Sequence, residues 1–123
     1  MMNDIRTEKL TSFCQEMIRT PSYSGQEGKV AELLSKTMKE GGFHSVHIDR
    51  YGNVVGRILL GKGGKKILLE GHMDHVGISD PGKWKHDPFG ADLEDGKIFG
   101  RGTSDMKGNL AAMTMAAIFL MED

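Results

Sequence analysis

The sequence predicts an α/β fold in a single domain. Two stretches of helical period come first, the spacing then changes to that of short strands and turns, and a third helical stretch begins near Lys107. Its 123 residues, 38% hydrophobic and 27% charged, suit one folded domain with a core and not a disordered chain.

Leu10, Phe13, Cys14, Met17 and Ile18 recur at the spacing of a helix with one buried face. That helix, expected over 4–19 from a start at Asn3 or Asp4, ends before Thr20-Pro21 because proline disfavours helix at the residue before it. Cys14 lies on the apolar stripe and reads as a core residue, not a nucleophile. Ser24-Gly25-Gln26-Glu27 has the S-x-x-E form of a capping box, and Val30, Leu33, Leu34, Thr37 and Met38 repeat the helical spacing behind it. A second helix is expected over 25–41, stopped by Gly41-Gly42.

Val46 and Ile48 then alternate, the chain turns around Tyr51-Gly52-Asn53, and an apolar segment resumes from Val54 to Leu60. The run GKGGKK at 61–66 lacks the order of a phosphate-binding loop and reads as a hairpin turn. Ile67-Leu68-Leu69 suits a strand buried on both faces, expected over 66–71. After a polar loop with Pro81, Trp84, His86 and Pro88, Asp95-Gly96 between short apolar segments signals a hairpin. Leu110, Met113, Thr114, Ala117, Ile118 and Met121 trace the third helix, over 107–122, with its methionines as core filler. The expected order is α-α-β-β-β-(β-hairpin)-α.

A net charge of −1 supplies no basic excess to draw nucleic acid or acidic membranes. The single cysteine fits a reducing compartment, and the charged N-terminal stretch lacks the apolar region of a signal peptide. The apolar run from Leu110 to Met121 falls short of the roughly 18 residues that span a bilayer. A cytoplasmic protein is expected.

Chemistry enters where the apolar strand ends, in Glu70-Gly71-His72-Met73-Asp74-His75. Successive strand side chains alternate between faces, so His72 and Asp74 share one side and His75 faces elsewhere. A metal-ligating histidine needs its other ring N–H held by a carboxylate or carbonyl, and Asp74 is placed to hold it. The stretch GRGTSDMKG, 100–108, surrounds Asp105 with glycines just ahead of the third helix. A helix N-cap accounts for Asp105. The glycine density demands more: a positive φ or a close backbone approach. Ser79 and Ser104 lack the G-x-S-x-G setting of a hydrolase nucleophile.

These stretches, with Trp84-x-x-Asp87-Pro88-Phe89, Arg19–Glu27 and Asp49–Gly56, resemble the zinc-dependent amidohydrolase and peptidase family. That family includes acetylornithine deacetylase, succinyl-diaminopimelate desuccinylase, aminoacylase and carboxypeptidase G. The resemblance covers nearly the whole chain in the right order. It implies two zinc ions (cobalt or manganese as alternatives) sharing a bridging carboxylate and water, which polarise an amide carbonyl. His72 then resembles a zinc ligand, Asp105 the bridging carboxylate, and Asp74 the catalytic residue that orients the His72 imidazole. The family's cis peptide after the bridge falls at Asp105–Met106. Trp84 and Phe89 remain packing residues, and Lys107 serves the helix start.

The family's Glu-Glu pair with the general base, a further acidic ligand and a C-terminal histidine have no counterpart here. Glu122-Asp123 cannot replace them, since a helix rising about 1.5 Å per residue carries Glu122 roughly 20 Å from Asp105. His72 and Asp105 also fall short of the three protein ligands of a catalytic zinc. The expectation is therefore that residues 1–123 form the N-terminal portion of a three-layer α/β/α hydrolase domain. Strand 66–71 would be central, with the lid or dimerisation domain and the C-terminal half absent. The substrate would be a small peptide or N-acylated amino acid, and the partner a separately encoded C-terminal half. A free-standing non-catalytic binding or assembly module, with His44, His47, His75 and His86 as surface residues, is the alternative. The sequence following Asp123 in the gene would distinguish the two.

Overall fold

The structure is a computed structural model that describes residues 4–61 and 63–123; Asn3 and Lys62 of the expected 61–66 turn lie outside them. Helices α1 (Asp4–Ile18) and α2 (Gly28–Glu40) follow one another, and two antiparallel hairpins separate α2 from α3 (Gly108–Glu122). The first pairs β1 (Ser45–Ile48) with β2 (Val54–Arg57), and the second pairs β3 (Asp92–Glu94) with β4 (Lys97–Phe99). None of the described helices is long and apolar enough to cross a membrane.

Helix α1 buries Phe13, Cys14, Met17 and Ile18, the face its spacing predicts. Burial pushes the Cys14 thiol pKa up, because a thiolate there would lose its hydration. Helix α3 presents a slightly rotated stripe: Leu110, Ala111, Thr114, Met115, Ile118 and Phe119 are buried, and Met113 and Met121 pack only at its margin. The two helices run antiparallel. Arg6 near the start of α1 pairs with Asp123 and Glu122, and Lys9 pairs with Glu122 at 3.4 Å. At the opposite end Lys107, with no exposed surface, donates from Nζ to Met17 O at 2.9 Å and Thr20 O at 2.7 Å. The lysine assigned to the helix start thus closes the end of α1, where the last carbonyls lack helical partners.

Both hairpin turns occur where expected. Asp95 and Gly96 carry the positive φ angles (50° and 73°) that a two-residue turn needs. The β1–β2 turn is organised by Asp49, whose carboxylate accepts from Tyr51 N–H, Asn53 N–H and Asn53 Nδ2–H at 2.8–2.9 Å.

Two expectations fail. Helix α2 begins at Gly28, not at 25, because the capping box does not form: the Ser24 hydroxyl donates to Asp74, and the Glu27 carboxylate accepts from Gly25 N–H. The central strand 66–71 is also missing. That run pairs with no strand among the described residues, the run before it ends its pairing at Arg57, and the described residues of the 61–66 segment join no ladder. Ile67, Leu68 and Leu69 are 85%, 83% and 61% exposed. A strand apolar on both faces needs a neighbour at each edge and cover on each side, and both hairpins pair within themselves.

Two outcomes follow from this packing. Lys107→Met leaves the Thr20 carbonyl without the Lys107 donor and the Met17 carbonyl with only the 3.3 Å bond from Thr20 N–H, and should cost about 1–3 kcal/mol in urea unfolding. An unchanged midpoint would show that the contact contributes nothing. Cys14 should resist a disulfide reagent in the native protein at about pH 8, near the ordinary thiol pKa of about 8.5, and react once the chain is unfolded.

Candidate metal centre

His72 and Asp105, thirty-three residues apart, meet with Nε2 and Oδ1 2.8 Å from each other. Glycine makes this approach possible. A Cβ on Gly71 would stand 2.7 Å from Met106 Cε and 2.8 Å from Leu110 Cδ2, so glycine lets the segment before His72 lie against the start of α3 without displacing those side chains. Gly102 takes a φ of 78° beside the His75 side chain and opens a wide turn over Thr103–Lys107. Inside that turn Asp105 and Met106 leave helical geometry, and the Asp105–Met106 peptide is cis, as the resemblance implies. Asp105 therefore does not cap α3. Its side chain is 86% exposed and turned towards His72.

On the other edge of the ring, His72 Nδ1–H donates to Asp74 Oδ1 at 3.1 Å and to the Asp74 main-chain O at 3.2 Å. Both partners are acceptors, so Nδ1 carries a proton. Asp105, with Asp74 adding to it, holds the His72 pKa above its ordinary value of about 6.5. The Ser24 hydroxyl, with His72 adding to it, holds the Asp74 carboxyl below the usual range.

His75 faces the other way, as alternation requires. It is 3% exposed, its Nε2 accepts from Ser22 N–H at 2.8 Å, and its Nδ1–H donates to Val76 O at 2.9 Å. Phe89 and Tyr23 enclose its ring. This removes His75 from the surface histidines of the binding-module alternative. His75 N–H donates to Ser22 O, and the Ser22 hydroxyl to Met73 O at 2.7 Å, so residues 22–24 hold 73–75 in place. Ser22 and Ser24 went unrecognised as contacts of this segment. Their signal lay in the Arg19–Glu27 stretch, where the capping pattern gave Ser24 a sufficient local role. Trp84 stays a packing residue, donating from Nε1 to Ile78 O at 2.7 Å under the Arg101 guanidinium.

The donor chemistry of the pair fits a divalent metal. Two ligands at about 2.0–2.1 Å on a tetrahedral zinc stand roughly 3.3 Å apart, so the 2.8 Å contact need open by only about half an ångström. The exposed Asp105 has room to do so. With Asp74 on Nδ1, Nε2 is the ring nitrogen that could ligate an ion. The set is incomplete, however: among the described residues no group of three or more His, Cys, Asp or Glu side chains could hold an ion.

In the metal-free protein the His72 ring should titrate above about 6.5, because both flanking carboxylates favour the imidazolium. Asp105→Asn should lower that value, and Asp74→Asn should lower it less. Proton–carbon NMR of the ring reads this directly, and titration of wild-type His72 below the ordinary value would contradict the geometry.

Residues 68–123 match the profile of Peptidase family M20/M25/M40. Over 105 residues the chain is 39% identical to succinyl-diaminopimelate desuccinylase 2 of Ruegeria sp. (strain TM1040), covering 84% of this chain and 27% of that protein. It is 38% identical over 113 residues to desuccinylase 1 of the same organism, covering 88% and 29%. Identity to the uncharacterized protein YgeY of Escherichia coli (strain K12) is 38% over 107 residues, covering 87% and 26%. The chain thus spans little more than a quarter of the length of these relatives. The match spans His72, Asp74 and Asp105, so residues 68–123 carry the sequence pattern of peptidase family M20/M25/M40.

Proposed function

We propose that residues 1–123 supply one part of a dinuclear zinc centre in a hydrolase that cleaves amide bonds of small peptides or N-acylated amino acids. The observation that carries this reading is the 2.8 Å approach of His72 Nε2 to Asp105 Oδ1, with Asp74 on the far side of the ring. His72 would ligate one zinc, Asp105 would lie between the two, and Asp74 would fix the ring orientation. Bound zinc would polarise the amide carbonyl and activate water at neutral pH; cobalt or manganese would serve the same role. This chain's own part is to hold the ligands and keep the Nδ1 proton of His72 engaged.

The remaining ligands and the proton acceptor would come from outside these residues, from continuing sequence or a separately encoded C-terminal half. In that assembly the Ile67–Leu69 run would become the central strand of a three-layer α/β/α domain, working in the reducing cytoplasm. Names among the relatives, desuccinylases, favour a substrate with an N-succinyl group. A cleft lined by Lys83, Lys85, Lys97 and Arg101 against one carboxylate, Asp80, and by Ser104, the residue before Asp105, has a basic excess that suits such a carboxylate.

The test is an assay of the purified chain with zinc against N-succinyl and N-acetyl amino acids, repeated with the sequence that follows residue 123 co-expressed. Turnover is expected only in the second case, because loss of a catalytic proton acceptor alone costs roughly 10²- to 10⁴-fold. Asp74→Asn in the active assembly should reduce it about 10- to 100-fold. Zinc-dependent turnover by the short chain alone, abolished by His72→Ala, would overturn the shared-centre proposal.

A further inference from the structure

The Asp74 carboxylate uses its two oxygens for two different partners. Oδ1 accepts from His72 Nδ1–H, and Oδ2 accepts from the Ser24 hydroxyl. A carboxylate held at one oxygen only can turn about its Cβ–Cγ bond and offer either oxygen, or neither, to the ring. Engaged at both, it has one orientation. Ser24 is itself held, because the neighbouring Tyr23 forms a parallel bridge with His75, Ser22 O accepts from His75 N–H, Ser22 N–H donates to His75 Nε2, and the Ser22 hydroxyl reaches Met73 O. Ser24 is exposed and caps no helix, so its hydroxyl serves no other visible end.

We infer that Ser24 is a positioning residue for the centre: it locks the Asp74 carboxylate so that Oδ1 keeps His72 Nδ1–H and Nε2 keeps its aim at Asp105. The lock runs from the loop ahead of α2, through Asp74, to the ring, and touches no substrate. That Ser24 orients the ring rests on the geometry alone; that this serves metal binding rests on the zinc-centre reading.

The experiment uses the full chain with Ser24→Ala and Ser24→Thr. The first readout, without metal, is the downfield proton resonance of His72 Nδ1–H, which persists only while a fixed acceptor shields it from exchange. The second is zinc affinity by competition with a chromophoric chelator. Ser24→Ala should broaden or abolish the resonance and weaken zinc by about tenfold, the lower end of the range for outer-sphere partners of a metal-bound histidine. Ser24→Thr, which restores a hydroxyl, should recover both, and the thermal midpoint should stay near wild type in each, since the side chain is exposed. An alanine variant whose His72 Nδ1–H resonance is unchanged in position and exchange overturns the inference. Failure of the wild-type chain, co-expressed with the sequence that follows residue 123, to take up zinc counts against the metal reading alone, because the resonance is recorded without metal.

Discussion

A lysine can be buried only where its ammonium finds acceptors, and Lys107 finds them in the Met17 and Thr20 carbonyls. Burial pushes its pKa down to about 8, which still leaves the ammonium charged at neutral pH. The contact satisfies both sides: the lysine meets the negative end of the α1 dipole, and the carbonyls receive the donor that the helix no longer supplies. Lys107 sits two residues from Asp105 and at the start of α3. The end of α1 therefore decides where the Thr103–Lys107 turn lies, and with it where Asp105 can point.

The other half of the centre is held by different means. His72 leaves an apolar run that enters no sheet, so ladder hydrogen bonds do not position it. What holds it is the Ser22–Ser24 segment laid along Met73–His75, together with the buried His75 ring. Asp105 comes on a glycine-relieved turn tied to α1, and His72 on a loop tied to the segment just after α1. Both halves are thus referenced to the same helix end, which is why two exposed side chains so far apart in sequence meet at hydrogen-bonding distance.

How much of this the sequence disclosed follows from the range of the interactions involved. The helices were legible because Phe13, Met17, Val30, Leu34 and Leu110 repeat at a period that short windows carry, and Asp95-Gly96 announced its hairpin through local turn chemistry. His72, Asp74 and Asp105 were legible as a family pattern, and the parity of His72 and Asp74 was readable from strand geometry. Ser24 was misread because a capping box is a local pattern and the competing acceptor, Asp74, lies fifty residues away. The strand at 66–71 failed for a related reason. Its composition describes surroundings on both faces and both edges, and none of the described elements supplies them.

The antiparallel pairing of α1 and α3 has a consequence for how the chain comes into being. The contacts that close it join Lys107 to Met17 across 90 residues and Arg6 to Asp123 across 117. At roughly 5–20 residues per second of synthesis, α1 precedes its partner by about 5–20 s, far longer than a helix needs to form. Throughout that interval α3 is not there to cover the Phe13, Met17 and Ile18 face. His72 and Asp105 can therefore meet only once α3 has packed back onto α1.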